Sequence, residues 1–541
     1  MRRMLRHHPR TRVFFLFRQA ILAGMAALAI VSPASARQGE PVPDVLASVD
    51  ADAIEAHLRF LSHDLLGGRA PGTRGDRLAI LYVESEFRRM GLQPALHGSY
   101  LLPVPLVARR FPAATTLVEF FAGGREVSAR PGDDVVLWAP AADTVDVFGE
   151  VVFAGFGIYA PEYGWDDFGQ TDVRGKILLV LPNEPPPTPD APTRFDGRAL
   201  TYYGRWTYKV EEAARRGAAG VLIMHSRDAG YPWSVVLSTW GGEQLHPRNA
   251  PATLQVEGWV TAEYVDGLLA AAGLDRQELI RRALGQDFQP IHTGIRADIQ
   301  LRGRSRLVDA YNTAGLLPGS DPDLRDEAVV YTAHLDGLGT GAPVAGDSIY
   351  NGAYDNASGV AAMLEIADAF TRLERRPDRS ILFVATTAEE AGLLGAREYL
   401  RAPVFPLDRT VLAINLDGAN LWGETDDAVV LGIERSPLRA AVEDAARALG
   451  LRLVPDRAPE LGRLFRSDAF AFASAGVPAL QVEHGVEFRG RSLAWSAGVV
   501  RQYADSDYHR PSDEYHPGFD LSGAVQQAKL AFLIGFRAAQ E

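Results

Sequence analysis

Apolar residues recur along this chain in three successive textures. From Asp50, Ile54, Leu58, Leu61 and Leu65 fall at helical spacing and predict an opening helix. The stretch Gly67-Gly-Arg-Ala-Pro-Gly-Thr-Arg-Gly75 interrupts it. A second amphipathic helix is predicted from about Asp76 to Met90, with Gly91 placed to end it. From about Val145 short strands and turns take over: Val151-Val-Phe-Ala154, Gly175-Lys-Ile-Leu-Leu-Val-Leu181 and the turn-rich Pro185-Pro-Pro-Thr-Pro189. A helix over Thr207–Arg216 leads into the buried-strand signal Gly217–Met224, and Asp266–Leu269 and Arg276–Leu284 read as further helical pieces.

After Arg302 strands and helices alternate. Strands are predicted at Ala328–Ala333, Ser380–Ala385, Val411–Leu416, Ala428–Leu431 and Ala479–Val482. Helices are predicted at Gly359–Glu374, Leu393–Leu400, Ser436–Leu449, Asp468–Ala475 and Leu521–Ala539. Such alternation argues an α/β sandwich with a largely parallel sheet. The middle segment has its own hydrophobic set. Residues 146–285 therefore read as a smaller β-rich domain inserted between 37–145 and 286–541.

Bulk properties narrow the function. At 541 residues, with 47% hydrophobic and 23% charged, the chain has room for two or three globular domains. Residues 1–36 have the form of a secretory signal: six arginines from Arg2 to Arg18, an apolar run from Ala20 to Ile30, and Ala34-Ser-Ala36 as a cleavage site. The implied location is periplasmic or secreted, with no stable membrane association once the signal is removed. The net charge of −13 includes those six arginines, so the rest of the chain is nearer −19. A nucleic-acid partner is excluded on that balance. The absence of cysteine excludes disulfides, thiolate zinc sites and cysteine nucleophiles, which leaves His, Asp and Glu for any metal chemistry.

Those residues cluster. The apolar run from Val329 ends in His334-Leu-Asp336, the next in Glu389-Glu390, and a third in Asn415-Leu-Asp417. A glycine-rich turn carries Asp355, and Asp507-Tyr508-His509-Arg-Pro-Ser-Asp513 lies near the C-terminus. In open α/β sheets, sites form beyond the carboxyl ends of the strands, so these distant residues are expected to converge. A mixed imidazole and carboxylate set suits zinc, because calcium and magnesium avoid imidazole.

Taken together, HLDG, DNASG, TAEEAGLLG, NLD and DYHRPSDE resemble the metal-site motifs of secreted co-catalytic zinc aminopeptidases, the bacterial leucyl aminopeptidase and glutamate carboxypeptidase II family. The resemblance covers most of Arg302–Glu541 and, more weakly, the N-terminal helices. The 146–285 segment, with Asp172-Val-Arg-Gly-Lys-Ile177 and Lys209 ahead of Gly217, is similar to the protease-associated (PA) domain inserted in many members. The family's fold is a three-layer α/β sandwich. The resemblance implies two zinc ions per chain, one on His334, Asp355 and Asp417, the other on Asp355, Glu390 and His509. It implies Glu389 as general base and acid toward a two-zinc bridged hydroxide, Asp336 orienting His334, Tyr508 stabilising an oxyanion, and a cis peptide after Asp355. Tyr354 and Ala469 depart from the family pattern.

Plainer readings stand beside these. His484 and His516 are rivals of His509, Tyr508 could simply pack, and Asp513 could orient His509 or cap a turn. The implied activity is removal of N-terminal residues from peptides. A carboxypeptidase or dipeptidase is the alternative, kept open by Arg463, Arg466, Arg489 and Arg491, which could grip a substrate carboxylate. A non-catalytic binding protein is the remaining rival.

Overall fold

The computed structural model describes residues 44–249 and 254–540, so the leader expected at 1–36 lies outside the described residues. Among the described residues no helix is long and apolar enough to cross a membrane.

The strands expected after Arg302 form the centre of a ten-stranded sheet. Ala328–His334 pairs in parallel with Ser380–Thr386 on one side and Thr410–Asn415 on the other, and Ala479–His484 continues the parallel run. Every residue of Ala328–His334 and Ser380–Thr386 is buried, as parallel strands covered on both faces require.

Alternation of side chains divides the layers. Val329, Tyr331 and Ala333 pack with Leu58 of helix Ala51–Leu61, Phe87 of helix Arg74–Arg89, Leu364 of helix Gly359–Thr371 and Phe532 of helix Ser522–Ala538. Val330 faces the opposite layer with Leu382, with Tyr399 of helix Leu394–Arg401 and with Phe472 of helix Asp468–Ser474. The result is the expected three-layer α/β sandwich, but its sheet is mixed rather than largely parallel: the central strands run parallel, and Arg304–Leu317 and Asp427–Leu431 join them antiparallel.

Two long strands that the hydrophobic pattern does not announce widen this sheet. Leu101–Arg110 pairs antiparallel with Arg304–Leu317, which pairs antiparallel with Ser380–Thr386. Pro103 and Pro105 disguise the first. Both precede the Leu106–Arg109 stretch, where Gln244–Pro247 pairs along the outer side, and at that edge Pro105 acts as an acceptor, its carbonyl taking the Arg248 amide at 3.0 Å.

A second, eight-stranded sheet runs in the order Arg125–Ser128, Thr116–Ala122, Ile291–Arg302, Thr144–Phe153, Ile177–Val180, Gly220–His225, Val256–Thr261 and Val135–Trp138. Its strands reach beyond 146–285 on both sides, because Ile291–Arg302 pairs with both Thr144–Phe153 and Thr116–Ala122. One face buries Phe120, Phe153 and Leu222; the other buries Trp138, Ile223 and Trp259. The loop after Pro185 meets the larger sandwich directly. Arg198 pairs with Glu460 at 2.9 Å, the Leu200 amide donates to the Pro459 carbonyl at 3.0 Å, and the Tyr202 ring lies 4.5 Å from that of Phe470.

Glu257 is a buried carboxyl in this second sheet that accepts a hydrogen bond from the Trp138 indole at 3.0 Å. Burial pushes it up from 4.5 to about 7. The native state therefore keeps a proton that the unfolded chain releases, and stability falls as pH rises between those values. Glu257→Gln keeps the acceptor and abolishes the titration. Urea denaturation should find variant and parent alike at pH 4 and the variant more stable by up to about 3 kcal/mol at pH 7.5. Identical differences at the two pH values would contradict this reading.

Candidate metal centre

The carboxyl edge of the parallel strands gathers the charged residues. His334 is the last residue of its strand, and Asp417 lies just beyond the strand that ends at Asn415. Glu389 and Glu390 follow the strand that ends at Thr386, and Ala388, just before them, adopts a left-handed φ of 54°, turning the chain sharply. Asp355 comes from the turn before helix Gly359–Thr371, where the Asp355–Asn356 peptide is cis, as the family resemblance implies. His509 follows helix Leu493–Ser506 and also has a left-handed φ, 57°.

Nε2 of His334 lies 3.0 Å from Oδ1 of Asp355 and 3.3 Å from Oδ1 of Asp417. Nε2 of His509 lies 3.3 Å from Oδ2 of Asp355 and 3.3 Å from Oε2 of Glu390. The two oxygens of Asp355 thus face different histidines. In each triad one ligand-type atom per residue lies within 4.8 Å of the others. Glu389 belongs to neither triad, so the paired glutamates, twins in the sequence, part company here.

The electrostatics follow from this crowding. Burial opposes ionisation of Asp355, yet hydrogen bonds from His334 and His509 outweigh it and hold the carboxyl far below its ordinary range. Burial likewise works against His509, but Glu390 and Asp355 raise it to about 9. His334, similarly opposed by burial, is carried well above its ordinary value by Asp355 and Asp417. Cationic imidazole balances the acid cluster, and a dication answers the same need with the same donors. Two triads of imidazole and carboxylate around a shared carboxylate fit zinc.

The surrounding residues differ in how they meet the triads. Asp336 meets the His334 ring through its backbone carbonyl, 3.2 Å from Nδ1, while its carboxylate stands 3.8 Å away. That carboxylate accepts the Glu389 amide at 3.1 Å. Tyr508 is 40% exposed and stacks on the His509 ring at 3.9 Å. His484 lies against Trp422 and Phe488, and His516 accepts the Gly518 amide, so neither joins the triads. Asp513 does not touch His509; it accepts the amides of Tyr354 and Asp355 at 2.8 and 3.1 Å.

Two further contributors lie inside stretches singled out above, the DNASG motif and the glycine-rich loop. The Asn356 carboxamide accepts the Gly359 and Gly418 amides and donates to the Leu416 carbonyl, stitching the Asp355 turn to the Asp417 loop. Arg69, from the glycine-rich stretch, is fully buried beneath the site.

Residues 312–532 match the family model for peptidase family M28. The match covers less than half of the chain and takes in all five residues of the two triads. Among curated proteins, the M28 region resembles the aminopeptidase NAALADL1 of Rattus norvegicus, 33% identical over 143 residues that make up 25% of this chain and 17% of the relative. It also resembles the alkaline phosphatase isozyme conversion protein of Escherichia coli K12, 30% identical over 36% of this chain and 61% of the relative. The vacuolar membrane protease of Verticillium alfalfae is 30% identical over 38% of this chain and 17% of the relative. The chain thus spans less than a fifth of two of these relatives and about three fifths of the third. Among solved structures, an aminopeptidase from Aneurinibacillus sp. strain AM-1 shares the fold with a TM-score of 0.52 at 19% identity, covering 92% of this chain and 95% of that one.

Within the M28 region the Asn356 stitch is open to test. Asn356→Ala leaves the Gly359 and Gly418 amides and the Leu416 carbonyl buried without this partner. The expected loss is about 2–4 kcal/mol in chemical denaturation. A loss below about 0.5 kcal/mol would show that the two loops are held by other means.

Proposed function

We propose that this protein is a zinc-dependent exopeptidase that removes N-terminal residues from peptides. The observation that supports this most directly is the single Asp355 carboxylate turned toward two histidines, each completed by a second carboxylate. His334, Asp355 and Asp417 would hold one zinc, and Asp355, Glu390 and His509 the other. Bound there, zinc would polarise a scissile carbonyl and ease deprotonation of water.

The chain's own residues do the rest. Glu389 accepts the proton of the attacking water and returns it to the departing amine nitrogen. Asp336, by accepting the Glu389 amide, fixes the backbone from which that carboxylate projects. Tyr508, stacked on His509, would donate to the carbonyl oxygen as its charge develops. Export to a periplasmic or extracellular location is supported by the leader pattern of residues 1–36. The second sheet is our candidate for the inserted PA domain; the boundaries proposed for the chain are 37–145, 146–285 and 286–541, and the strands Thr116–Ala122 and Ile291–Arg302 of that sheet lie outside the middle one.

A second reading, recognition of a substrate carboxylate as in a carboxypeptidase or dipeptidase, has one observation in its favour. Of the four arginines considered, Arg463 is paired with Asp456 and Glu483, Arg489 with Glu424 and Asp426, and Arg491 covers the Trp495 ring. Arg466 has no carboxylate partner among the described residues, and neither does Arg205 from the segment that meets the sandwich. The Nε of each is buried without a hydrogen bond. Burial and the facing Arg466 lower Arg205 to about 10, and Tyr508 lies within reach of its charge. A panel of peptides with free and blocked ends separates the readings. The favoured one requires cleavage of C-blocked peptides and none of N-blocked ones; the opposite pattern establishes carboxylate recognition.

The two glutamates should fail differently. Glu389→Gln should keep both zinc ions and lose a factor of about 10²–10⁴ in kcat. Glu390→Gln should lose affinity for one zinc, with partial activity returning in excess metal. Zinc loss in the first variant and full retention in the second would reverse these roles.

A further inference from the structure

The Asp355 turn is held from two sides by groups of opposite charge, neither of which is placed to bind metal. Beneath it lies Arg69, 1% exposed and in the left-handed region at φ 55°. One Nη of its guanidinium donates to the Leu61 and Asn351 carbonyls, the other donates to the Gly352 carbonyl at 3.0 Å, and Nε donates to the Leu335 carbonyl at 2.9 Å. Leu335 separates His334 from Asp336, and Asn351 and Gly352 open the turn that carries Asp355. One planar cation therefore spans two of the three segments that supply the His334 triad, those of His334 and Asp355. Above the turn, the Asp513 carboxylate accepts the Tyr354 and Asp355 amides and the Tyr503 hydroxyl, while its own carbonyl accepts the Ala353 amide.

We propose that Arg69 and Asp513 are a positioning pair that sets the Asp355 carboxylate for two metals, the arginine holding the carbonyls of its turn and the aspartate the amides. The proposal rests on the two-zinc reading and goes beyond it, because neither residue belongs to either triad.

Three features support a role specific to this turn. An uncompensated buried guanidinium is costly, so its retention here calls for partners. It finds four carbonyls, with Asp336, Asp355, Glu390 and Asp513 near enough to favour its charge. The fit is close: a Cβ on Gly352 would come within 2.2 Å of the Asp355 carbonyl oxygen and 3.2 Å of the arginine, and a Cβ on Gly68 within 2.4 Å of the Gly339 carbonyl oxygen. Lysine cannot substitute, because the three N–H groups of one ammonium nitrogen cannot serve four carbonyls spread around the separate nitrogens of the planar fork. Asp513 likewise uses both oxygens, so an amide in its place would turn a donor toward one of the two backbone N–H groups.

The test compares Arg69→Lys and Asp513→Asn with the parent full-length protein, reading zinc affinity by chelator competition, melting temperature, and kcat and KM at saturating zinc. Lys209→Met serves as the control. That buried ammonium donates to the Phe156 and Asn183 carbonyls, in the turns that follow two strands of the second sheet, and it belongs to neither triad. The expected result is a loss of about 10–100-fold in affinity for both zinc ions in each site variant. KM should stay within about twofold of the parent, in keeping with loss of positioning alone. Lys209→Met should lower the melting temperature and leave zinc affinity unchanged. Site variants that melt early but bind both zincs as the parent does would overturn the proposal and leave a purely structural role. Should Arg69→Lys fail to fold, Asp513→Asn alone decides by the same criterion. A parent protein that takes up no zinc would overturn the two-zinc reading, and this proposal with it; unchanged affinity in the variants of a zinc-binding parent overturns only this proposal.

Discussion

The structure turns on the crowding of buried acid at one sheet edge. Asp336, Asp355, Asp417, Glu389, Glu390 and Asp468 press on one another there, answered by His334, His509 and Arg69. Like charges gathered out of water are strongly unfavourable unless cations, protons or hydrogen bonds compensate them. The surrounding features can be understood as such compensation. The parallel strands bring their ends to one line, the Asp355 turn is gripped through its amides and carbonyls, and the Thr386 hydroxyl donates to Asp468.

Much of this edge was legible in the sequence because it is built from local motifs. His334, Asp417 and the two glutamates each sit at the end of a continuous apolar run, and a run of that kind followed by a turn can be read without knowing its neighbours. The five central strands and the helices between them were legible for the same reason. Their hydrophobic faces are dictated by burial on both sides of a parallel sheet.

What stayed hidden depends on partners far away in the chain. Leu101–Arg110 becomes a strand because Arg304–Leu317 lies beside it, and its prolines argue against that assignment locally. The extent of the second sheet is set by Ile291–Arg302, a strand that follows most of the segment it organises. Arg69 looks like one more residue in a flexible glycine-rich loop until the Leu335, Asn351 and Gly352 carbonyls are brought around it. Arg205 acquires its setting only when the segment around Tyr202 packs on Phe465 and Phe470. Asp336 was assigned to His334 through its carboxylate, whereas the strand end leaves its carbonyl closer to the ring.

The central claim is that Asp355 is shared between two zinc ions. Anomalous diffraction from crystals of the zinc-loaded protein, measured on either side of the zinc absorption edge, tests it most directly. The account predicts two peaks roughly 3.5–4 Å apart, one toward His334 and Asp417 and the other toward His509 and Glu390, with the Asp355 carboxylate between them. A single peak, or a pair in which Asp355 touches only one, would contradict it.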